Sequence, residues 1–185
     1  MTWIIILIIL AILVIAVVTI YNKLIRLRNT VKSSWSDIDV QCKKRYDLVP
    51  NLVETVKGYA SHEKTVFEKV TEARAMAMQA NSPAEMAKAE NMIRDTLKSL
   101  FAVAEAYPEL KANANFMQLQ TQFQELYNNI EYARRFYNAV VRDFNVLIES
   151  FPSNLIASQF NFKQAELFQL EAPEAERKPV KVSFS

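Results

Sequence analysis

The chain has 185 residues, a net charge of +2 and 51% hydrophobic residues, with a single glycine and a single cysteine. One glycine excludes phosphate-cradling glycine loops and argues against a turn-rich β or α/β fold. One cysteine excludes an internal disulfide, and a charge so mild lacks the clustered basic face that nucleic-acid binding requires.

The first element is Trp3 to Ile20, eighteen residues without charge, glycine or proline, of which fourteen are Ile, Leu or Val. That length matches a bilayer core of about 30 Å, and its aliphatic residues favour insertion by about 4–8 kcal/mol. No Lys or Arg precedes the run, and Tyr21 to Arg26 offers no small-residue cleavage pattern, so the segment is expected to be a retained anchor rather than a signal peptide. Lys23, Arg26, Arg28 and Lys32 follow with no acidic residue before Asp37. The positive-inside rule then predicts a single-pass membrane protein, with its N-terminus outside and the following domain cytoplasmic. The same basic residues would lie against anionic lipid headgroups.

Beyond the anchor the helical pattern continues. Leu24, Leu27, Val31, Trp35, Ile38, Cys42, Tyr46 and Val49 recur in steps of three and four. Pro50 predicts a break, with Asp47 as cap and a second helix over 48–80 carrying Leu52, Val56, Tyr59, Val66, Val70, Ala73 and Ala77. This stripe keeps phase with the first, so one helix kinked at Pro50 is the alternative. Ser82-Pro83-Ala84-Glu85 reads as a capping box that opens a third helix ending near Tyr107-Pro108. After a short turn, Phe116 to Phe151 forms the longest stripe, broken by Pro152. Ser153 is a candidate cap for a short helix, and Phe160 and Phe162 are expected to pack on the bundle. Lys163 to Ser185 reads as extended or disordered, with a strand-like alternation over Val180 to Phe184. The expectation is an all-α protein: a transmembrane helix running into an up-and-down antiparallel four-helix bundle. Its parts are an anchor over 1–21, a bundle domain over 22–151, and a cap and tail over 152–185.

No catalytic set emerges. His62 is the one histidine, Val66 stands where a zincin's second histidine would be, and Tyr59 spoils a di-iron Glu-x-x-His pattern. Cys42 lies on an apolar stripe and reads as core. No metal, cofactor or catalytic residue is predicted. The polar residues that stand out are Asp37 and Asp39 on the first helix, and Glu131, Arg134, Arg135, Asn138 and Asn145 on the long one. They read as interhelical polar contacts, with Arg134 or Arg135 meeting Asp37 or Asp39, or as a contact patch for a partner.

A set of segments carries a family resemblance: Trp35-Ser36-Asp37-Ile38-Asp39-Val40-Gln41, Leu48-Val49-Pro50-Asn51-Leu52-Val53-Glu54, Ala104-Glu105-Ala106-Tyr107-Pro108-Glu109-Leu110, Tyr132-Ala133-Arg134-Arg135-Phe136-Tyr137-Asn138 and Phe151-Pro152-Ser153-Asn154-Leu155. With Tyr21-Asn22, Arg28 to Val31 and His62-Glu63, they make nearly the whole chain resemble the LemA family. The resemblance implies one N-terminal membrane helix followed by a helical bundle. A relative's part in building magnetosome membranes implies membrane organisation rather than catalysis. The chain departs at Tyr127 and Asn129, where a charged pair flanking Asn128 is expected. The function expected is a non-enzymatic scaffold that organises membrane lipid, other membrane-associated proteins or copies of itself. The alternative is a regulator or sensor of a membrane protease or kinase.

Overall fold

The computed structural model describes residues 1–169, and every regular element in that range is an α-helix. Chain order gives α1 (Thr2–Lys57), α2 (Lys64–Ala77), α3 (Pro83–Glu105), α4 (Pro108–Lys111), α5 (Ala114–Glu149) and α6 (Ser153–Gln159). The helices form two compact units. One holds Met1–Cys42 and Tyr127–Leu167; the other holds Lys43–Leu126 and, among the described residues, Phe168 and Gln169.

In the first unit α1 and α5 run antiparallel. Heptad-spaced Leu24, Val31 and Ile38 of α1 are buried, as are Ile130, Tyr137, Val140 and Phe144 of α5. Trp35 and Tyr137 bring their ring centroids to 5.6 Å. These are the residues the three-four periodicity places inside. The apolar run at the start of α1 behaves differently: its large residues from Trp3 to Val18 stand exposed on the protein, with Val17 and Ile20 alone in the run partly covered. An exposed aliphatic helix long enough to cross a bilayer is a candidate membrane span, and α1 is the one such helix among the described residues.

The second unit is built on an α2–α3 antiparallel pair. Phe67, Val70, Ala73 and Ala77 of α2 share its core with Met86, Ile93, Leu97 and Leu100 of α3. The Lys43–Lys57 part of α1 adds Tyr46, Val49, Leu52 and Val56, and the start of α5 adds Phe116 and Phe123, each about 6 Å ring to ring from Phe101.

Pro50 does not break the chain. It lies inside α1, and the helix expected over 48–80 is instead the end of α1 followed by α2. A proline costs its helix one hydrogen bond, the one its missing N–H would donate to the carbonyl four residues back. That carbonyl belongs to Tyr46, and Arg74 of α2 donates Nε–H to it at 2.7 Å. The tertiary bond replaces the lost helical one, so the stripe continues in phase. Helix α1 ends at Lys57. There the Tyr59 and Ala60 amides both converge on the Val56 carbonyl, at 3.0 and 2.9 Å.

The start of α3 follows its sequence signal. Ser82 Oγ accepts from the Glu85 amide at 3.2 Å, with Pro83 in the first turn. The reciprocal arm reaches one residue further than a standard capping box: the Glu85 carboxylate accepts from the Asn81 amide at 2.9 Å. Asn113 starts α5 in the same way, its Oδ1 accepting from the Phe116 amide at 3.1 Å while its amide nitrogen donates to Tyr59 Oη at 3.0 Å.

Ser153 does not cap α6. It points back along the chain and donates to the carbonyls of Leu147 and Ser150, at 2.6 and 2.8 Å, tying α6 to the end of α5. Residues 163–169 lack regular structure, yet Phe168 is buried. The alternation over Val180 to Phe184 lies outside the described residues.

Candidate functional site

The first unit carries a groove of about 300 Å³ between α1 and α5, lined by Ser34, Asp37, Gln41, Asn129, Tyr132, Ala133 and Phe136. The heptad logic that buries Val31 and Ile38 sets Ser34, Asp37 and Gln41 on the flank of the same seam. On α5, Tyr132 and Phe136 are one turn apart, so both rings lie along one edge. Tyr132 is 75% exposed and Phe136 47%. An apolar edge, a carboxylate and two amides can grip a side chain or helix of another protein.

The predicted polar residues differ in where they sit. Asp37 lines the groove. Asp39 is half-buried on α1. Arg134 and Arg135 find a carboxylate on α5 itself. Both bond to Glu131 on their own helix, at 2.5 and 3.0 Å. Three- and four-residue spacing puts these groups on neighbouring turns, within reach of Glu131. Asn138 is half-buried on the same helix. Asn145 holds the segment after α6: its Nδ2 donates to the Ala165 carbonyl at 2.9 Å and its Oδ1 accepts the Ala165 amide at 2.8 Å. That two-bond clamp mimics one rung of a strand pair. Tyr127 and Asn129, the departures from the family pattern, are both exposed, and Asn129 brings a neutral amide to the groove.

Of the basic residues, Lys23, Arg26, Arg28 and Lys32 are all exposed, directly after the apolar run. The Arg28 guanidinium stacks 5.2 Å over the Phe162 ring, where a cation gains from the ring quadrupole.

A buried polar cluster in the second unit is absent from the sequence reading. Glu90 of α3 bonds Arg45 of α1, both only 5% exposed, and the Tyr46 hydroxyl donates to its other oxygen at 2.5 Å. The signal was present in phase: Glu90 lies four residues after Met86 and three before Ile93, both core positions. A carboxylate at a core phase demands a partner. His62 is exposed and Cys42 fully buried. Among the described residues, no three His, Cys, Asp or Glu side chains gather closely enough to hold a metal ion.

Comparison with known proteins matches the LemA family model over residues 34–184. The chain belongs to the LemA family. Protein LemA of Metamycoplasma hominis is 28% identical over 88% of this chain and 74% of its own length. Magnetosome protein MamQ 2 of Paramagnetospirillum magneticum is 23% identical over 80% of this chain. Magnetosome protein MamQ of Magnetospirillum gryphiswaldense is 21% identical, also over 80%. The matches span 64% of the length of each magnetosome relative. The family match covers the groove and the Arg45–Glu90 cluster, and it begins after the apolar run.

Proposed function

We propose that this LemA-family chain is a membrane-anchored, non-enzymatic helical scaffold. It holds partner proteins, or further copies of itself, beside a bacterial inner membrane through the groove between α1 and α5. The observation that carries this reading is the Tyr132–Phe136 edge: two exposed rings flanking Asp37 and Gln41, on the unit that also bears the exposed apolar run. Relatives named as magnetosome proteins fit a role in assembly rather than turnover. The charge asymmetry around the span supports an N-terminus outside and the helical units in the cytoplasm.

The test is a photo-activatable residue placed at Tyr132 or Phe136 in intact cells, followed by mass spectrometry of the cross-linked products. A defined protein captured from both positions and lost on Asp37→Lys is the expected result. Absence of any protein product from either position sinks the groove as a partner site. A membrane-impermeant thiol reagent that labels Ser33→Cys in intact cells reverses the orientation.

A further inference from the structure

The end of the first unit nearest the apolar run presents its own apolar surface. Helices α1 and α5 are antiparallel, with Trp35 against Tyr137. Phe151 comes fourteen residues after Tyr137, and Tyr21 fourteen before Trp35. Equal rise per residue therefore brings the end of α5 level with Tyr21, the residue that follows the uncharged run. Direct contacts agree: the Tyr21 ring lies 4.7 Å from Phe160 and 6.0 Å from Phe162. Asn161 makes this double contact by adopting φ 56°, a left-handed conformation that asparagine tolerates.

Helix α6 is thus fixed at the depth where the span ends. Its inner face is Ser153, Ile156 and Ala157, all buried. Its exposed residues are Leu155, Ser158 and Gln159, flanked by Phe151 before the helix and Phe160 after it; Phe151, Leu155 and Phe160 are 80%, 62% and 52% exposed. Protein cover along α1 begins at Val17 and Ile20, inside the run the bilayer has to surround. Whatever covers those residues shares their depth. Lys23, Arg26 and Lys163 stand exposed just beyond, while the nearby Glu149 carboxylate accepts a bond from the Gln164 amide.

We propose that the segment from Phe151 to Phe160 is a second membrane-contact element, seated in the interfacial layer of the same bilayer that α1 crosses. Aromatic and aliphatic side chains at headgroup depth, with lysine and arginine one turn above, match that layer in polarity. The occupant is lipid, with the basic residues favouring anionic headgroups. Such a contact beside the span fixes the rotation and tilt of α1, which its length alone leaves open. This inference rests on α1 being the membrane anchor.

The test uses the full chain in proteoliposomes of phosphatidylcholine and phosphatidylglycerol, with an environment-sensitive fluorophore on single introduced cysteines. The unsubstituted chain, whose Cys42 is buried, serves as the labelling blank. Quenching by doxyl groups near the top of the acyl chains is read at Leu155→Cys, at Val14→Cys within the span and at Ser33→Cys on α1 beyond it. Quenching at positions 155 and 14, with none at 33, is expected. A label at 155 that stays in water while the label at 14 is quenched overturns the inference and leaves the anchor standing. Loss of quenching at both overturns the anchor and the inference together.

Discussion

Arg74 donates its Nε hydrogen to the Tyr46 main-chain oxygen, the carbonyl from which Pro50 withholds a helical amide. Tyr46 is almost fully buried, so water is a poor substitute donor there. Arg74→Met is expected to destabilise the protein by about 1–3 kcal/mol, the usual loss when a buried acceptor is orphaned. Pro50→Ala restores an N–H at the required position, so in that background most of the Arg74→Met cost disappears. Denaturant midpoints for the two singles and the double measure the coupling. Equal cost in both backgrounds means that Arg74 does not compensate for the proline.

Glu90 sits between Arg45 and the Tyr46 hydroxyl in the core of the second unit. Glu90→Ala leaves a buried guanidinium without its counter-charge and is expected to cost about 3–5 kcal/mol. Replacing the pair together, Arg45→Met with Glu90→Leu, removes both desolvation costs and is expected to cost less than Glu90→Ala alone. Urea unfolding of the parent, Glu90→Ala and the double variant decides it. A double variant weaker than the single means that the pair contributes net stability.

The Glu85 carboxyl at the head of α3 is held below its ordinary pKa, chiefly by the hydrogen bond from the Asn81 amide; desolvation opposes this, and lesser bonds from Ser82 add to the lowering. A depressed folded-state pKa stabilises the fold above the unfolded-state value. That contribution is lost as pH falls through the folded-state value. Glu85→Gln should therefore flatten the acid limb of stability against pH while changing little above pH 7 beyond a constant offset. Thermal midpoints collected from neutral to acid pH, subtracted variant from parent, check this. A difference independent of pH removes the carboxylate from the cap.

Tyr137 carries the opposite sign. Its hydroxyl donates to the Glu166 carbonyl at 2.7 Å, and its pKa is raised, chiefly by burial and secondly by the Glu166 charge. A raised folded-state pKa contributes stability that is complete below the unfolded-state value and declines as pH climbs through the folded-state one. Tyr137→Phe is expected to cost about 0.5–1.5 kcal/mol at neutral pH for the lost bond. That deficit should shrink on the alkaline side, where the parent must ionise a sheltered phenol on unfolding. Chemical unfolding at a series of alkaline pH values follows the convergence; parallel curves exclude it.

The helical class, the long apolar run, the stripes that become core, the opening of α3 and the LemA membership were all legible in the residues alone. These are local or periodic properties. A three-four spacing, an uncharged eighteen-residue run or a Ser-Pro-x-Glu start acts on its own neighbourhood whatever packs against it. Tertiary structure decided the fate of Pro50, because its cost depends on a donor twenty-eight residues from Tyr46, on another helix. It also decided the partners of Arg134 and Arg135, since cross-helix pairing competes with Glu131 one turn away. The Arg45–Glu90 bond spans 45 residues, a separation that periodicity cannot register. Only folding brings Phe160 onto Tyr21, and with it α6 to the end of the apolar run.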